Sequence, residues 1–291
     1  MFLEKFLLPR ARTEELTMMK QHDTAFSNAY PFKIFPEMQL EELEFGKITL
    51  LHGSNGSGKT TLLNIIAETF SVARNALFNS SGLFNKYVQL CRERMDAQGL
   101  LCELPRASRI ITSDDVFDFL FNLRSLSQGY DNHRRELFEE YRLLRKDEML
   151  FKSAEDFDRL CEINDARRST RAAFVKKRLM KDPVGGSNGE SALAYFTSHI
   201  GNNALFLLDE PENSLSVSAQ QELADFLLSS ARGCGCQFII STHSPVLLTL
   251  PGATVWDLDY RPARIRRWQE LDSVCAWFSF FESRREDFFG R

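Results

Sequence analysis

Residues 45–70 read FGKITLLHGSNGSGKTTLLNIIAETF, and this stretch decides the fold. The apolar run from Ile48 to Leu51 is typical of a buried β-strand, and a glycine-rich segment follows it. From Thr61 to Phe70 the apolar residues recur with a helical period. The order of strand, glycine-rich loop and helix predicts one unit of an α/β fold.

The glycine-rich segment, Gly53 to Thr60, matches the pattern GxxxxGK[ST] without a mismatch. Such glycines let backbone N–H groups turn toward phosphate oxygens, and the following helix adds its positive N-terminal end. Lys59 is expected to contact the β- and γ-phosphates, Thr60 to bind Mg²⁺ and Thr61 to reach the α-phosphate. The predicted nucleotide-binding residues are Gly53, Ser54, Asn55, Gly56, Ser57, Gly58, Lys59, Thr60 and Thr61.

A second apolar run, 204–210 (ALFLLDE), ends in two adjacent carboxylates. Its lack of polar alternation predicts a strand buried on both faces, as in a parallel sheet, and ligands bind at the carboxyl ends of such strands. Asp209 is therefore predicted to hold Mg²⁺ and Glu210 to polarise the attacking water. His243 follows a third apolar strand, 237–242, and is predicted to hydrogen-bond the γ-phosphate or position the water.

A second glycine-rich loop, GGSNGES at 185–191, precedes the apolar stretch from Ala192 to Phe196. A serine and free N–H groups at the start of a helix form another anion site. One triphosphate rarely needs two such loops within one domain. Ser187 and Gly189 are therefore predicted to bind the nucleotide of a partner subunit.

Composition is ordinary for a globular protein: 43% of the 291 residues are apolar and the formal net charge is −4. These values exclude a wholly disordered or collagen-like chain. No apolar run approaches the roughly 18 residues of a membrane helix, and Glu4 and Lys5 interrupt the segment where a signal peptide would be apolar. The six cysteines form no CxxC pair, which favours reduced thiols and a cytoplasmic location. Most of the 25 phenylalanines are expected in the core.

The rest of the chain continues the alternation of helices and strands. Further predicted elements are a helix at 218–231, strands at 253–257 and 265–268, and a closing helix at 271–281. Residues 114–182 instead have a helical composition throughout. The predicted domains are residues 1–113, the N-terminal part of the core; 114–184, a helical insertion; and 185–291, the C-terminal part of the core.

Positive charge is concentrated near the end of the predicted insertion, where residues 165–181 hold seven Arg or Lys against one Asp. Several of these residues share a helix face because they lie three, four or seven positions apart. The cluster predicts weak, sequence-independent nucleic-acid binding, and a solvated face or an acidic protein partner remains the alternative. Its members are Arg167, Arg168, Arg171, Lys176, Lys177 and Arg178.

Together these segments resemble the ABC-type ATPase family. HGSNGSGKTTLL is similar to its Walker A segment, LFLLDEP to its Walker B strand with the catalytic glutamate, and GGSNGES to a degenerate signature loop. PENSLS resembles the D-loop and STHSP the segment with the switch histidine. The order and spacing of these segments agree with the family along residues 30–260. The Pro211-Glu212 pair resembles the sequence at this point in the soluble branch that includes SMC-like, RecF-like and OLD-like proteins. The string QFIISTHSPVLLTLPGATVWDLD, which begins at Gln237, is especially similar to small stand-alone bacterial ATPases of that branch.

Two features of the family have no clear counterpart. No Q-loop glutamine is evident, and Asp114 or Asp115 stands near its expected place. The aromatic residue that stacks on adenine is not evident either, and Tyr30, Phe32 and Phe35 are candidates.

The resemblance implies a P-loop NTPase fold of the ABC-ATPase type, with a mostly parallel core sheet and an inserted α-helical subdomain. It implies a soluble ATPase that binds ATP and Mg²⁺ at the interface of an ATP-dependent homodimer. Catalytic roles fall on Lys59, Glu210 and His243, metal binding on Thr60 and Asp209. The expected output is DNA repair or anti-phage defence with an effector protein. The alternatives are the nucleotide-binding subunit of a multi-chain transporter and a P-loop kinase of small molecules.

Overall fold

The structure is a computed structural model that describes residues 1–19, 29–78, 80, 82–96, 104–146, 166, 188–213 and 215–289. The chain divides into two compact units. The first comprises Met1–Val116 and Asn188–Arg291, and the second comprises Phe117–Ser187. In the second unit the described residues are those of one long helix, up to Lys146, and Ala166.

The strands and helices alternate along the first unit. The strands are β1 Lys5–Leu7, β2 Glu42–Glu44, β3 Ile48–His52, β4 Arg109–Thr112, β5 Leu205–Asp209, β6 Gln237–Ser241, β7 Thr254–Asp257 and β8 Arg264–Ile265. The helices are α1 Ala11–Met19, α2 Ile34–Glu37, α3 Lys59–Thr69, α4 Gly82–Asp96, α5 Ser113–Lys146, α6 Asn188–His199, α7 Val217–Gly233, α8 Pro245–Leu248, α9 Asp272–Glu282 and α10 Arg285–Phe289. A 3₁₀ helix spans Trp268–Glu270.

A six-stranded sheet in the order β4-β5-β6-β3-β7-β8 forms the centre of this unit. All its neighbouring strands run parallel except β8, which is antiparallel to β7. Every residue of β3, β5 and β6 is buried, as expected for strands covered on both faces. The predicted α/β P-loop fold with a mostly parallel sheet is confirmed.

The register of the sheet aligns the carboxyl ends of its strands. Asp209 lies opposite Thr112 on one side and opposite Ser241 on the other. Leu51 lies opposite Ser241, and His52 lies opposite Asp257. The polar residues that end five strands therefore lie along one edge of the sheet, where open α/β sheets bind their ligands.

The N-terminal segment is fastened to the sheet by a buried side chain. Gln237, which is 1% exposed, accepts hydrogen bonds from the backbone N–H groups of Phe2 and Leu3 and donates one to the carbonyl of Leu3. Phe6 and Leu8, on either side of Leu7 at the end of β1, are fully buried in the hydrophobic core. Strand β1 pairs antiparallel with β2 in a separate two-stranded sheet.

One expectation from the sequence is wrong. The strand predicted at 265–268 covers only Arg264–Ile265, because the chain turns into a 3₁₀ helix at Trp268. The expectation that most phenylalanines lie in the core does not extend to α9 and α10, whose aromatic side chains are largely exposed. The exposed aromatic residues of these two helices are Trp277, Phe278, Phe280, Phe281 and Phe288.

The predicted domain boundaries at 113/114 and 184/185 stay predictions. Within the residues predicted to form the insertion, Ser113–Lys146 is helical, and 147–165 and 167–187 lie outside the described residues. No helix in the described ranges combines the length and the apolar character needed to cross a membrane.

Candidate functional site

The loop between β3 and α3 depends on glycine at two positions. Gly56 and Gly58 have positive φ angles of 84° and 86°, which are unfavourable for residues with a side chain. A Cβ on Gly58 would also lie 3.0 Å from Cγ2 of Ile34. The loop ends at Gly58, directly before α3, so that the first N–H groups of this helix are available to an anion.

Lys59 is buried within this loop, with 4% of its surface exposed. Its Nζ donates to the carbonyl oxygens of Gly53, at 2.8 Å, and Ser54, at 3.1 Å. Burial lowers the pKa of Lys59, and the negative charges of Glu210 and Asp209 oppose this effect. An ammonium group has three N–H donors, so the two carbonyls leave one for a phosphate oxygen.

Asp209 accepts hydrogen bonds from two hydroxyl groups, one at the start of helix α3 and one at the end of strand β6. Thr60 Oγ1 donates to Asp209 Oδ1 at 3.1 Å, and the fully buried Ser241 donates to the same oxygen. Burial raises the pKa of Asp209, although these hydrogen bonds oppose the shift. A carboxylate next to a threonine hydroxyl at the start of α3 is the type of oxygen donor set that binds Mg²⁺ beside phosphates.

Glu210 has a φ angle of 48°, an uncommon left-handed conformation for this residue type. Its backbone N–H lies 3.1 Å from both the carbonyl and the hydroxyl oxygen of Ser241. Asn213 Nδ2 donates to Oε2 of Glu210 at 3.0 Å, and His243 Nε2 lies 3.5 Å from Oε1. The carboxylate is therefore contacted on both oxygens while it lines the cavity beside the phosphate loop.

The loop that carries His243 is held by Glu212. Oε1 of Glu212 accepts the backbone N–H groups of His243, at 2.6 Å, and Ser244, at 3.1 Å. Burial raises the pKa of Glu212, and the hydrogen bond from the His243 backbone opposes this shift. Glu212 thus fixes the backbone of the predicted switch histidine, a role that the sequence position of Glu212 alone did not indicate.

We expect Glu212→Ala to lower the free energy of unfolding by about 1–3 kcal/mol, because two backbone N–H groups lose their carboxylate acceptor. Chemical denaturation of the variant and the wild type measures the difference. Glu222→Ala, which removes an exposed carboxylate from α7, is the matched control and is expected to stay within about 0.5 kcal/mol. An unchanged denaturation midpoint for Glu212→Ala would show that the loop does not depend on this carboxylate.

A cavity of about 560 Å³ opens beside the phosphate loop. Ser57 Oγ is buried in the loop and has no hydrogen-bond partner among the described residues, which fits a polar ligand. The cavity is lined by Tyr30, Ile34, Asn55, Gly56, Gly58, Lys59, Thr60, Thr61 and Glu210. This lining is compatible with a chain of phosphate groups, and the oxygens of Thr60 and Asp209 are of the type that Mg²⁺ accepts as ligands.

Of the three candidates for the adenine-stacking residue, only Tyr30 lines the cavity, and its hydroxyl donates to Thr61 Oγ1 at 3.0 Å. Phe32 and Phe35 are core residues that pack against Tyr87, with 4% and 0% of their surface exposed. These two candidates are therefore wrong, because their rings are occupied in the hydrophobic core.

Neither aspartate near the expected Q-loop reaches the cavity. Asp115 is buried and accepts hydrogen bonds from the backbone N–H and hydroxyl of Thr112 and from the backbone N–H of Ala76. Asp114 is exposed in the first turn of α5. Asp115 thus stabilises the turn from β4 into α5, which is a structural role.

Sequence reasoning missed a carboxylate at the phosphate loop. Asp259 accepts the backbone N–H of Ser54 at 2.7 Å and its hydroxyl at 2.8 Å. Ser54 and Asp259 are 205 positions apart, so no local pattern connects them. The only signal was that Asp259 follows the predicted strand 253–257, whose carboxyl end belongs to the same edge of a parallel sheet.

Of the predicted binding residues at 167–189, only Gly189 lies within the described part of the chain. Gly189 lies in the first turn of α6 and is not among the described residues around the phosphate loop. Ser187 lies outside the described residues. The same holds for all six predicted nucleic-acid contacts, Arg167, Arg168, Arg171, Lys176, Lys177 and Arg178.

The parallel sheet, the glycine loop around Lys59 and the acidic end of β5 define a P-loop NTPase fold. A family profile described as "AAA domain, putative AbiEii toxin, Type IV TA system" matches residues 92–249, more than half of the chain. The protein belongs to this family. A search of curated proteins gave no match.

Several solved structures are similar to this chain at low identity. A dimeric ATP-binding cassette in a post-hydrolysis state with ADP and Pi is 18% identical over 79% of this chain and 90% of its own, with a TM-score of 0.36. The Smc head domain with an extended coiled coil, bound to the C-terminal domain of ScpA from Pyrococcus furiosus, is 13% identical over 84% and 95%, with a TM-score of 0.36. A component of the ABC transporter complex cbiONQ from Clostridium perfringens is 17% identical over 86% of each chain, with a TM-score of 0.33.

Proposed function

We propose that this protein hydrolyses ATP with Mg²⁺ and uses the nucleotide state to control an effector partner. The observation that carries the proposal is the meeting of five predicted groups at one edge of the sheet. Lys59 and Thr60 begin α3, Thr60 contacts Asp209, and Glu210 lies within 3.5 Å of His243. Family membership supports the ATPase assignment.

The chain's own residues supply the positioning and charge that phosphoryl transfer requires. The phosphate-loop N–H groups and Lys59 bind the β- and γ-phosphate oxygens. A Mg²⁺ ion held by Thr60 and Asp209 would neutralise charge on those oxygens. Glu210 orients the attacking water and accepts its proton, while His243 donates a hydrogen bond toward the γ-phosphate.

The site requires a second copy of the chain. Ser187 and Gly189 are proposed to bind the γ-phosphate of the partner's nucleotide, completing each site across a homodimer. Gly189 lies at the start of α6 and is not among the residues that line its own chain's cavity, which supports this arrangement. ATP then acts as the link between two subunits, and hydrolysis separates them.

The output is proposed to be anti-phage defence in the cytoplasm rather than DNA repair. The family description names a toxin of a Type IV toxin–antitoxin system, which favours a defence role. The described cysteines that are free thiols, Cys91, Cys234, Cys236 and Cys275, fit a reducing compartment. Nucleic-acid binding through the basic residues at 167–178 stays a prediction.

Sedimentation of Glu210→Gln with and without Mg-ATP tests the composite site. We expect this variant to trap ATP and to sediment as a dimer only when nucleotide is present. Ser187→Arg in the same background is expected to abolish the shift, since its side chain would occupy the partner's phosphate position. Ser229→Arg, an exposed change near the far end of α7, is the matched control and should preserve the dimer. An oligomer that ignores ATP would contradict the composite site.

A further inference from the structure

His52 lies directly before the phosphate loop, and the mechanism above does not use it. It is the last residue of β3 and is 5% exposed. Its Nδ1 lies 3.4 Å from the carbonyl oxygen of Thr242, and its Nε2 lies 2.8 Å from Oγ of Ser273. Thr242 directly precedes His243, whereas Ser273 belongs to α9. His52 therefore contacts both the switch-histidine loop and the C-terminal helix.

The chemistry of the two contacts fixes the proton on the ring. A carbonyl oxygen only accepts hydrogen bonds, so Nδ1 of His52 must carry the proton and donate to Thr242. Nε2 then accepts the hydroxyl hydrogen of Ser273. Burial lowers the pKa of His52 and supports this neutral form, with His243 acting in the same direction and Asp257 and Asp259 opposing it.

Thr242 is held from both sides by the residues that precede the phosphate loop. Its backbone N–H donates to the carbonyl of Leu51 at 3.1 Å, while its own carbonyl accepts from His52. The rings of His52 and His243 lie 6.3 Å apart. A rotation of the His52 ring would therefore remove one of these two hydrogen bonds of the Thr242 backbone, directly before His243.

Helix α9 contributes little else to the core. None of its residues, Asp272–Glu282, is buried. The Ser273 hydroxyl nevertheless reaches the buried ring of His52, which makes it a direct contact between this exposed helix and the strand that leads into the phosphate loop.

We propose that His52 is a positioning residue that couples α9 to the switch histidine. The Ser273 hydroxyl orients the His52 ring, the ring fixes the Thr242 carbonyl, and this backbone sets His243 beside Glu210. The inference rests on the proposed function in so far as His243 acts on the γ-phosphate. It assigns to α9 the ability to alter the rate of hydrolysis without touching the nucleotide.

Steady-state ATP hydrolysis by three serine variants tests this coupling. Ser273→Ala is expected to lower kcat about three- to tenfold, the effect of one hydrogen bond, while KM for ATP stays unchanged. Ser273→Thr keeps the hydroxyl and should restore kcat. Ser279→Ala, an exposed serine on the same helix, is the control and should behave as the wild type. An unchanged kcat for Ser273→Ala, or a loss that threonine does not restore, would overturn the coupling.

Nitrogen-15 NMR of the histidine side chains separates this inference from the proposed function. The protein has five histidines, and His52→Asn and His243→Ala assign the two relevant signals. His52 is expected as the neutral Nδ1–H tautomer, and Ser273→Ala should shift the signals of both His52 and His243. A wild type without ATP hydrolysis would refute the proposed function alone. A His243 signal that ignores Ser273→Ala would refute the coupling, whatever the hydrolysis rate.

Discussion

Lys59→Ala is expected to weaken ATP binding by at least about 30-fold. Lys59 is buried in the phosphate loop, where a single ammonium group bridges two loop carbonyls and faces the cavity. Truncating one partner of a buried, hydrogen-bonded charge pair costs about 2–5 kcal/mol, and a tenfold loss of affinity corresponds to about 1.4 kcal/mol. Isothermal titration with a non-hydrolysable ATP analogue and Mg²⁺ measures the effect.

Two controls separate lost binding from lost folding. Lys47→Ala removes an exposed lysine just before β3 and should leave the affinity unchanged. The thermal unfolding of Lys59→Ala without nucleotide should remain cooperative. ATP should raise the melting temperature of the wild type and of Lys47→Ala but not of Lys59→Ala, because only a bound ligand stabilises the native state. Wild-type affinity in Lys59→Ala would remove the phosphate-loop assignment.

The sequence predicted those parts of the site that are encoded by short local patterns. The spacing from Gly53 to Thr60 specifies its own loop, since glycines at fixed positions permit the backbone angles seen at Gly56 and Gly58. The run from Leu205 to Asp209 reads as a buried strand because it lacks polar alternation. Parallel strands align their carboxyl ends, so Asp209 and the phosphate loop were expected at the same edge.

Residues whose partners are distant in the sequence were missed. Ser241 supports both Asp209 and Glu210 from a neighbouring strand, 32 and 31 positions away. Glu212 holds the backbone of His243 across a similar separation of 31 positions. Such contacts depend on strand register and loop path, which single-sequence patterns do not specify. A serine at a strand end or a glutamate in a loop carries no signal of its own.

The aromatic residues show a second limit of pattern reading. Phe35 and Phe278 both lie among apolar neighbours in the sequence, but Phe35 is fully buried and Phe278 is 69% exposed. Burial depends on which element covers the helix. α2 packs within the core cluster, whereas α9 has no buried residue. Local hydrophobicity predicts that a side chain prefers the interior, while the tertiary arrangement decides whether it is covered.

Glu210→Gln is expected to reduce kcat for ATP hydrolysis by about 100-fold or more while ATP still binds. The substitution keeps the size of the side chain and an oxygen acceptor for Asn213, but the amide cannot accept a proton from water. Loss of a positioned general base typically costs about 10² to 10⁴ in rate. Single-turnover hydrolysis of radiolabelled ATP, with affinity measured in parallel, separates the chemical step from binding.

The unusual backbone conformation of Glu210 and the contacts of its carboxylate explain why this loss of activity is expected at position 210 in particular. Glu210 adopts its uncommon left-handed conformation while its N–H contacts Ser241, and its carboxylate lies between Asn213 and His243. Strained backbone that persists at a cavity indicates that the surrounding contacts fix the side chain for a role there. Glu222→Gln on the exposed face of α7 provides the matched control for loss of a carboxylate and should retain wild-type kcat. If Glu210→Gln hydrolyses ATP at the wild-type rate, another group activates the water, and the geometry around Glu210 serves only to shape the loop.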